Sequence, residues 1–258
     1  MVKMKEPWQN LKVSMKAPFL KRIVLEGTTG ESYPFTIPIV QAGFDLVLDK
    51  PVTFICGENG SGKSTLIESI ALHCGFSGTG GSRNHNLDAR KPDVAPLQEK
   101  LRFSWNLKVN TGFFVRAESL FQFANYIDEL ARETGRSIYR SYGGASLHAR
   151  SHGEAFLTLF SHQMNKRGIF ILDEPEAALS PQRQLVLLRI IHELAQTGDA
   201  QFIIASHSPL LMAYPDATLI YVDQGEISER RLTATPHYQV MARFFADPEA
   251  YVGDILSD

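Results

Sequence analysis

The 258-residue chain has few of the features that define several common protein classes. It contains only two cysteines, Cys56 and Cys74, in apolar segments without metal-ligand spacing, so neither a disulfide framework nor a zinc site is indicated. No apolar run in the sequence approaches the about 20 residues needed to span a bilayer. The first ten residues lack the apolar core of a secretory signal. We therefore expect a cytoplasmic chain without membrane insertion.

The sequence also lacks a strong charge of either sign. Lysine and arginine number 26, aspartate and glutamate 28, and the net charge is -2, which gives no overall attraction to nucleic acid. One local excess exists, because the first 22 residues hold a single acidic residue, Glu6, and six basic ones. The basic residues are Lys3, Lys5, Lys12, Lys16, Lys21 and Arg22. This arm is either a solvated segment or a contact for a phosphate backbone or an acidic partner.

What is present is an alternation of apolar runs and helical patterns. The patterns predict short strands in "FLKRIVLE", "YPFTIPIV" and "FDLVL", then a buried strand "PVTFIC" and a helix "KSTLIESIALHC". A glycine-, asparagine- and proline-rich stretch from Gly75 to Pro96 predicts a long loop. Further strands are predicted in "TGFFVRA", "GIFILD", "AQFIIAS" and "ATLIYVD", and helices in "ESLFQFANYIDELARE", "EAFLTLFSHQM", "PQRQLVLLRIIHELAQ" and "DPEAYVGDIL". Such alternation favours a parallel sheet covered by helices.

A phosphate-binding pattern lies between the buried strand and its helix. It is "GENGSGKS", which comprises Gly57, Glu58, Asn59, Gly60, Ser61, Gly62, Lys63 and Ser64 and satisfies G-x-x-x-x-G-K-[ST]. Glycines let successive backbone N–H groups face phosphate oxygens, and the helix presents its positive end to the same anion. Lys63 supplies a full charge, Ser64 is a candidate ligand for Mg²⁺, and Thr65 is a further candidate for nucleotide contact. The alternative is a glycine-rich turn that binds no nucleotide.

Two further strand ends carry side chains suited to phosphate chemistry. The strand in "GIFILDEPEAALS" ends at Asp173 and Glu174, where ligands of parallel sheets bind. One carboxylate is suited to Mg²⁺ and the other to orienting an attacking water, so Asp173 is a metal candidate and Glu174 a catalytic one. The strand in "IIASHSP" ends at His207, a catalytic candidate for contact with the γ-phosphate, although a lone histidine is more often structural.

The phosphate loop, the strand end with Asp173 and Glu174, and the strand end with His207 follow one another along the chain as they do in the ABC-type ATPases, which they resemble. "GENGSGKST" resembles their Walker A motif, "FILDEP" their Walker B motif with its catalytic glutamate, "AALSPQ" their D-loop and "ASHSP" their switch histidine. The resemblance implies an α/β P-loop NTPase fold of ABC-ATPase type. It has a mostly parallel core sheet flanked by helices, an N-terminal antiparallel β subdomain and a helical signature subdomain. We expect one domain over 1–258, divided into a basic arm (1–18), the β subdomain with Walker A (19–75), the loop and signature region (76–166), and the part from Walker B to the C-terminal helices (167–258).

The stretch "ARSHGEAF" occupies the position of the family's signature sequence, which opens a helix shortly before Walker B. The resemblance assigns nucleotide contact to Ser151 and Gly153; a plain helix cap is the other reading. The sequence RSHGE differs from LSGGQ, the form found in transporters. It resembles the soluble RecF/SMC-like, "predicted AAA family ATPase" branch of the family, as do "GFFVRAESLF" and "DEPEAALSPQRQ". Glu118 stands where transporters carry a glutamine, which makes it a third metal candidate. Tyr33 and Phe35 are candidates for stacking on adenine.

The resemblance implies ATP binding and Mg²⁺-dependent ATP hydrolysis, coupled to ATP-dependent homodimerisation. ATP and Mg²⁺ are the expected ligands. The cycle would drive a nucleic-acid-related or defence-related protein partner encoded nearby, and nucleic acid itself is a candidate partner. Two alternatives stay open at this stage. One is an ATP-gated switch module that controls a partner effector, and the other is the nucleotide-binding subunit of a transporter.

Overall fold

The computed structural model describes residues 16–85 and 92–257. The strands are β1 (Leu20–Glu26), β2 (Gly43–Val47), β3 (Val52–Cys56), β4 (Arg102–Trp105), β5 (Gly112–Arg116), β6 (Gly168–Asp173), β7 (Ala200–Ala205), β8 (Thr218–Asp223) and β9 (Glu226–Glu229). The α-helices are α1 (Pro38–Ala42), α2 (Lys63–His73), α3 (Ala95–Gln98), α4 (Leu120–Thr134), α5 (His152–Gln163), α6 (Pro181–Thr197), α7 (Pro209–Met212), α8 (Pro236–Ala246) and α9 (Pro248–Ser257). Within these ranges, no helix has the length and apolar character that crossing a membrane requires.

A six-stranded sheet in the order β5-β6-β7-β3-β8-β9 forms the centre of the molecule. All its pairings are parallel except that of β8 with β9. Every residue of β3, β6 and β7 is buried, because α4, α5 and α6 cover one face of the sheet, and α2 together with a second sheet covers the other. Asp173 pairs with Ala205, and Ala205 pairs with Ile55. The carboxyl ends of β3, β6 and β7 therefore meet at one edge, which is where the three predicted motifs begin.

A second, antiparallel sheet has the order β2-β1-β4. Its apolar side chains join a core cluster that also contains Leu66 and Ile70 of α2. A separate core cluster is formed by α4, α5 and α6 together with the other face of the central sheet. The predicted fold class is thereby confirmed: an α/β core with a mostly parallel sheet, an antiparallel β part and a helical part.

The segment "YPFTIPIV" is not a strand, as the sequence pattern had predicted. Residues 33–37 form a turn, and α1 begins at Pro38. Proline has no N–H for a sheet ladder but is favourable at the first position of a helix, so Pro34 and Pro38 oppose a strand here. Helices α3, α7 and α8 and strands β4 and β9 were not predicted. The basic residues Lys3, Lys5 and Lys12 lie outside the described residues, as do residues 86–91 of the predicted long loop.

Candidate functional site: a phosphate loop at the carboxyl edge of the sheet

The phosphate loop joins β3 to the first residue of α2. Gly57, Gly60 and Gly62 all have positive φ angles, which the curl of the loop requires and which side chains disfavour. Space around Gly60 is open, so a ligand is able to approach the backbone there. Lys63 is almost fully buried, and its ammonium donates to the carbonyl of Glu58 over 2.8 Å. Burial lowers the pKa of Lys63, and Glu174 and Asp173 counteract that shift by attraction.

Oxygen donors suited to Mg²⁺ meet beside the loop. The hydroxyl of Ser64 donates to Asp173 Oδ1 over 3.3 Å, and Asp173 is buried at the end of β6. Mg²⁺ prefers oxygen ligands and is usually held by one or two protein groups together with water and phosphate oxygens. No group of three or more His, Cys, Asp or Glu side chains suited to a metal occurs in the part of the chain that the structure describes. Ser64 and Asp173 thus fit a magnesium ion that arrives with a nucleotide.

Arg116, at the end of β5, connects the carboxylates around this point. Its guanidinium lies 3.1 Å from Glu68, 2.6 Å from Glu118 and 3.4 Å from Asp173. Burial raises the pKa of Asp173 to about 6, and the charge of Arg116 limits that rise. Glu118, predicted as a metal ligand, lines the same cavity as Ser64 and Asp173 but is 73% exposed and paired with Arg116. Its metal role stays a prediction.

Glu174 is held in an unusual backbone conformation directly after Asp173. Its φ and ψ angles are 49° and 53°, a left-handed conformation that costs about 1 kcal/mol or more for a residue with a side chain. Its N–H donates to the carbonyl of Ala205, which fixes the turn against β7. The carboxylate is half exposed, and Oε1 lies 3.6 Å from Nε2 of His207. The strained turn aims this carboxylate toward the phosphate loop and the end of β7.

Two side chains that sequence reasoning missed hold His207 in place. Glu176 accepts the backbone N–H of His207 over 2.5 Å and the hydroxyl of Ser206 over 2.9 Å. His237, at the second position of α8, has its Nε2 atom 3.0 Å from Nδ1 of His207. Glu176 lies within the stretch "DEPEAALSPQRQ" but was not singled out there. His237 lies outside the recognised motifs and follows His207 by 30 residues. No sequence signal would have connected His237 with the site.

Two adjoining cavities share Ser64 and Glu174. One, of about 380 Å³, is lined by Tyr33, Asn59, Gly60, Gly62 and Lys63. The other, of about 370 Å³, is lined by Arg116, Glu118, His152 and Asp173. Tyr33 thus borders the phosphate loop, with its hydroxyl 3.2 Å from that of Thr65, whereas Phe35 packs against the core. Of the two stacking candidates, only Tyr33 lines this cavity.

The predicted signature residues form a hydrogen-bonded cap at the start of α5. Ser151 donates its N–H and its hydroxyl to Glu154 Oε2 over 3.0 and 2.6 Å. Arg183 of α6 donates to Ser151 Oγ and to Glu154 Oε1, both over 3.2 Å. A Cβ atom on Gly153 would lie 2.5 Å from the Arg183 guanidinium and 3.0 Å from the carbonyl of Ala178, so only glycine fits without displacement.

One residue at the start of α5 borders the site of its own chain. His152 lines the cavity that contains Ser64, Asp173 and Glu174. Ser151 and Gly153 line neither of the two cavities described above. The cap reading and the nucleotide-contact reading of Ser151 and Gly153 therefore remain compatible, and the contact stays a prediction.

Several buried polar atoms around the site lack hydrogen-bond partners among the described residues, including Nε of Arg116 and Nδ1 of His237. Two of the others are Oγ of Ser61, within the loop, and Nε2 of His207. A buried polar atom without a partner costs about 1–3 kcal/mol, so such atoms commonly mark a ligand site. Their location beside Lys63 and Glu174 fits a ligand with phosphate oxygens. The fold and this site together resemble those of ABC-type P-loop ATPases.

Comparisons with known proteins agree with this class. Residues 35–138 match the family described as "AAA domain", and residues 155–213 match the family described as "AAA domain, putative AbiEii toxin, Type IV TA system". The xylose import ATP-binding protein XylG of Escherichia coli is 27% identical over 196 residues, which are 69% of this chain. The alignment covers 38% of that relative, so the chain spans well under half the length of the curated relatives it matches.

Solved structures share the fold at low sequence identity. The SmcHead bound to the C-winged helix domain of ScpA is similar with a TM-score of 0.50 and 14% identity, over 83% of this chain and 98% of that one. CbiO1 of Clostridium perfringens, part of the ABC transporter complex cbiONQ, is similar with a TM-score of 0.50 and 17% identity, over 92% and 98%. The resemblance inferred from the motifs is confirmed: the chain has the fold of an ABC-type P-loop ATPase, which SMC heads share.

Proposed function

We propose that the chain binds ATP and hydrolyses it to ADP and phosphate with Mg²⁺, and that two copies close around the nucleotides during the cycle. The observation that carries this proposal is the meeting of Lys63, Ser64, Asp173, Glu174 and His207 at one edge of the sheet, beside two unpartnered buried polar atoms. A cation for the phosphates, oxygen ligands for Mg²⁺ and a group that orients the attacking water recur in phosphoryl transfer, and Lys63, Ser64 with Asp173, and Glu174 offer these parts.

Each group takes a distinct part in the reaction. Lys63 and the loop N–H groups bind the β and γ phosphates, and Ser64 and Asp173 would hold Mg²⁺, which would supply neutralisation of phosphate charge. Glu174 accepts a proton from the attacking water, whose oxygen forms the new bond to phosphorus as the bond to the ADP oxygen breaks. His207 contacts the γ-phosphate. Ser151 and Gly153 of a second copy would complete the site, because a two-fold dimer is self-complementary.

The decisive experiment replaces Glu174 by glutamine. Glu174→Gln keeps the shape and removes the base, so ATP should bind with its usual affinity while turnover falls by about two to four orders of magnitude. Calorimetric titration measures binding and phosphate release measures turnover. Glu129→Gln, an exposed change on α4, is the matched control and should alter neither. A Glu174→Gln variant that hydrolyses ATP at the normal rate would show that Glu174 is not the base.

The partner that the cycle drives is also a proposal. We infer a nucleic-acid-related or defence-related partner encoded nearby, in the cytoplasm, where buried free cysteines such as Cys56 and Cys74 stay reduced. The family description that names a toxin system supports the defence reading. In the switch form of this proposal, ATP-driven dimerisation controls the partner effector, and hydrolysis ends the signal.

A second candidate is the motor subunit of a transporter. The match to a xylose import ATP-binding protein favours it. The signature wording RSHGE and the presence of Glu118 in place of glutamine oppose it. Neighbouring genes separate the candidates: a membrane permease supports the transporter reading, and a nuclease or a toxin-like effector supports the first proposal.

A further inference from the structure

We propose that His237 is a positioning residue that holds the switch histidine, His207, in the tautomer with its proton on Nε2. This inference rests on the proposed ATPase function and extends it to a residue outside the recognised motifs. His237 approaches from α8, an element that carries none of the phosphate-site motifs. Its Nε2 lies 3.0 Å from Nδ1 of His207, and the ring centroids are 5.1 Å apart.

A single hydrogen bond joins the two imidazoles, and either ring can be its donor. Burial lowers the pKa of both rings; Lys63 lowers both further, while Glu174 raises the pKa of His207 and Glu58 raises the pKa of both. Both rings are therefore neutral near pH 7, and each has one N–H. Either His237 donates from Nε2 to His207 Nδ1, or His207 donates from Nδ1 to His237 Nε2. The first arrangement places a proton on His207 Nε2, and the second leaves a lone pair there.

The surroundings of His207 Nε2 favour the first arrangement. This atom is buried, has no hydrogen-bond partner within the described ranges and lies 3.6 Å from a carboxylate oxygen of Glu174. An N–H at this distance is attracted by the carboxylate, whereas a lone pair is repelled. A phosphate oxygen, which also accepts hydrogen bonds only, imposes the same preference. Through its contact with Nδ1, His237 leaves His207 as a donor toward both acceptors.

The local structure fixes His237 where this contact needs it. Thr235 is fully buried and caps α8: its hydroxyl donates to the carbonyl of Leu232 over 2.7 Å and accepts the N–H of Tyr238 over 3.3 Å. Pro236 then sets the first helical position, and His237 is the second. Most of α8 beyond Tyr238 is exposed. The first turn of α8 is thus anchored at the site, while the rest of the helix projects away from it.

The tautomer is tested directly by nitrogen NMR of the ATP-free protein with labelled histidine. The His207 signals are assigned by their loss in His207→Gln. We expect protonated Nε2 and unprotonated Nδ1 in the wild type. In His237→Leu, which keeps bulk but removes the ring nitrogens, we expect the preference to weaken, because Nδ1 of His207 loses its hydrogen-bond partner while the attraction of Glu174 for a proton on Nε2 remains. His237→Gln retains an amide donor at about the position of Nε2 and should restore it. A wild-type His207 protonated on Nδ1 would overturn the inference, whatever the ATPase activity.

Activity measurements give the second readout. Because one hydrogen bond contributes about 0.5–1.5 kcal/mol, His237→Leu should lower kcat about 2- to 10-fold without changing the affinity for ATP, and His237→Gln should recover most of it. His192→Leu is the matched control, since His192 bonds Tyr214 away from the site, and it should leave kcat unchanged. Normal kcat and an unchanged tautomer in His237→Leu would refute the inference. Absence of ATPase activity in the wild-type protein would instead refute the proposed function. The NMR measurement of the His207 tautomer would still test the role of His237.

Discussion

At the scale of single residues, the site is dominated by a buried cation. Lys63 makes no ion pair with the carboxylates of the described residues; its ammonium contacts the carbonyl of Glu58. A buried charge costs free energy unless it is compensated, and a carbonyl compensates it only in part. An anion that enters the loop removes this cost, which is why Lys63 should contribute more to ligand affinity than to the stability of the free protein.

Lys63→Ala should therefore abolish measurable ATP binding. The variant removes the cation that faces the phosphates and leaves the loop backbone in place, so folding should be retained. Calorimetric titration measures the affinity, and circular dichroism confirms the fold. Lys100→Ala, an exposed lysine after α3, serves as the control and should bind ATP normally. Unchanged affinity in Lys63→Ala would refute the phosphate-loop assignment.

The two cysteines lead to a second prediction at this scale. Burial raises the pKa of Cys56 and that of Cys74 to about 12, and both thiols are almost fully buried. At pH 8 roughly one thiol in ten thousand is then the reactive thiolate. Iodoacetamide at pH 8 should label neither residue in the native protein and both in urea, as mass spectrometry can measure. Native labelling of Cys56, the last residue of β3, would show that the phosphate-loop end of the sheet opens.

At the scale of elements, the contact between β3 and β8 depends on a glycine. Gly57 follows β3 with a φ of 149°, and a Cβ atom there would lie 2.1 Å from the carbonyl oxygen of Val222 in β8. This neighbour is backbone, so relief requires the strands to move apart. Gly60 has a φ of 79° but open space around it.

Gly57→Ala should accordingly destabilise the protein much more than Gly60→Ala. We expect a loss of about 2–5 kcal/mol at Gly57 from the clash and the backbone conformation together. At Gly60 the backbone alone contributes about 1–2 kcal/mol. Urea denaturation followed by circular dichroism compares the two variants. Equal losses in the free energy of unfolding would mean that β8 moves away from Gly57 at little cost. The spacing between β3 and β8 at the loop would then not depend on Gly57.

Elements with a strong local pattern were predictable from sequence. The strands β3, β6 and β7 are uniformly buried, and their uninterrupted apolar runs reveal this directly. The segment "YPFTIPIV" misled because its apolar alternation mimics a strand, whereas its two prolines favour a turn and the start of α1. In β4, only Phe103 and Trp105 point to a strand, and both are partly exposed.

The site was predictable to the extent that its members follow strand ends. Lys63, Asp173 and His207 lie close together because their strands are neighbours, and the motifs alone indicated that. His152, Arg183 and His237 come from helices whose placement depends on tertiary packing. Their contacts with the site or with the α5 cap arise only after folding, so no spacing rule could have found them.

At the scale of the whole molecule, one chain leaves the start of α5 available to another copy. Ser151 is exposed and lines neither cavity beside the phosphate loop, although its neighbour His152 borders one of them. In a two-fold dimer, a residue of one copy can complete the site of the other. The proposed role of Ser151 and Gly153 therefore requires two copies, and a test must distinguish action within a chain from action between chains.

Ser151→Arg provides the first half of this test. The bulky cation should block hydrolysis by preventing close approach of a second copy. ATP binding to the monomer should remain, because Ser151 does not line the cavities of its own chain. Titration calorimetry checks binding and phosphate release checks turnover. Loss of ATP binding in this variant would place Ser151 at the site of its own chain instead.

Mixing Ser151→Arg with Lys63→Ala, each inactive alone, supplies the second half. In a mixed dimer, one site carries both defects and the other carries neither. Random pairing puts about half of the dimers in this state, so activity should recover to about a quarter of normal if the two sites work independently. Light scattering of Glu174→Gln with ATP then establishes whether a nucleotide-bound dimer forms at all. If Glu174→Gln stays monomeric with ATP and the mixture stays inactive, the role of Ser151 and Gly153 is limited to capping α5. The hydrogen bonds of Ser151 with Glu154 and Arg183 already account for that role.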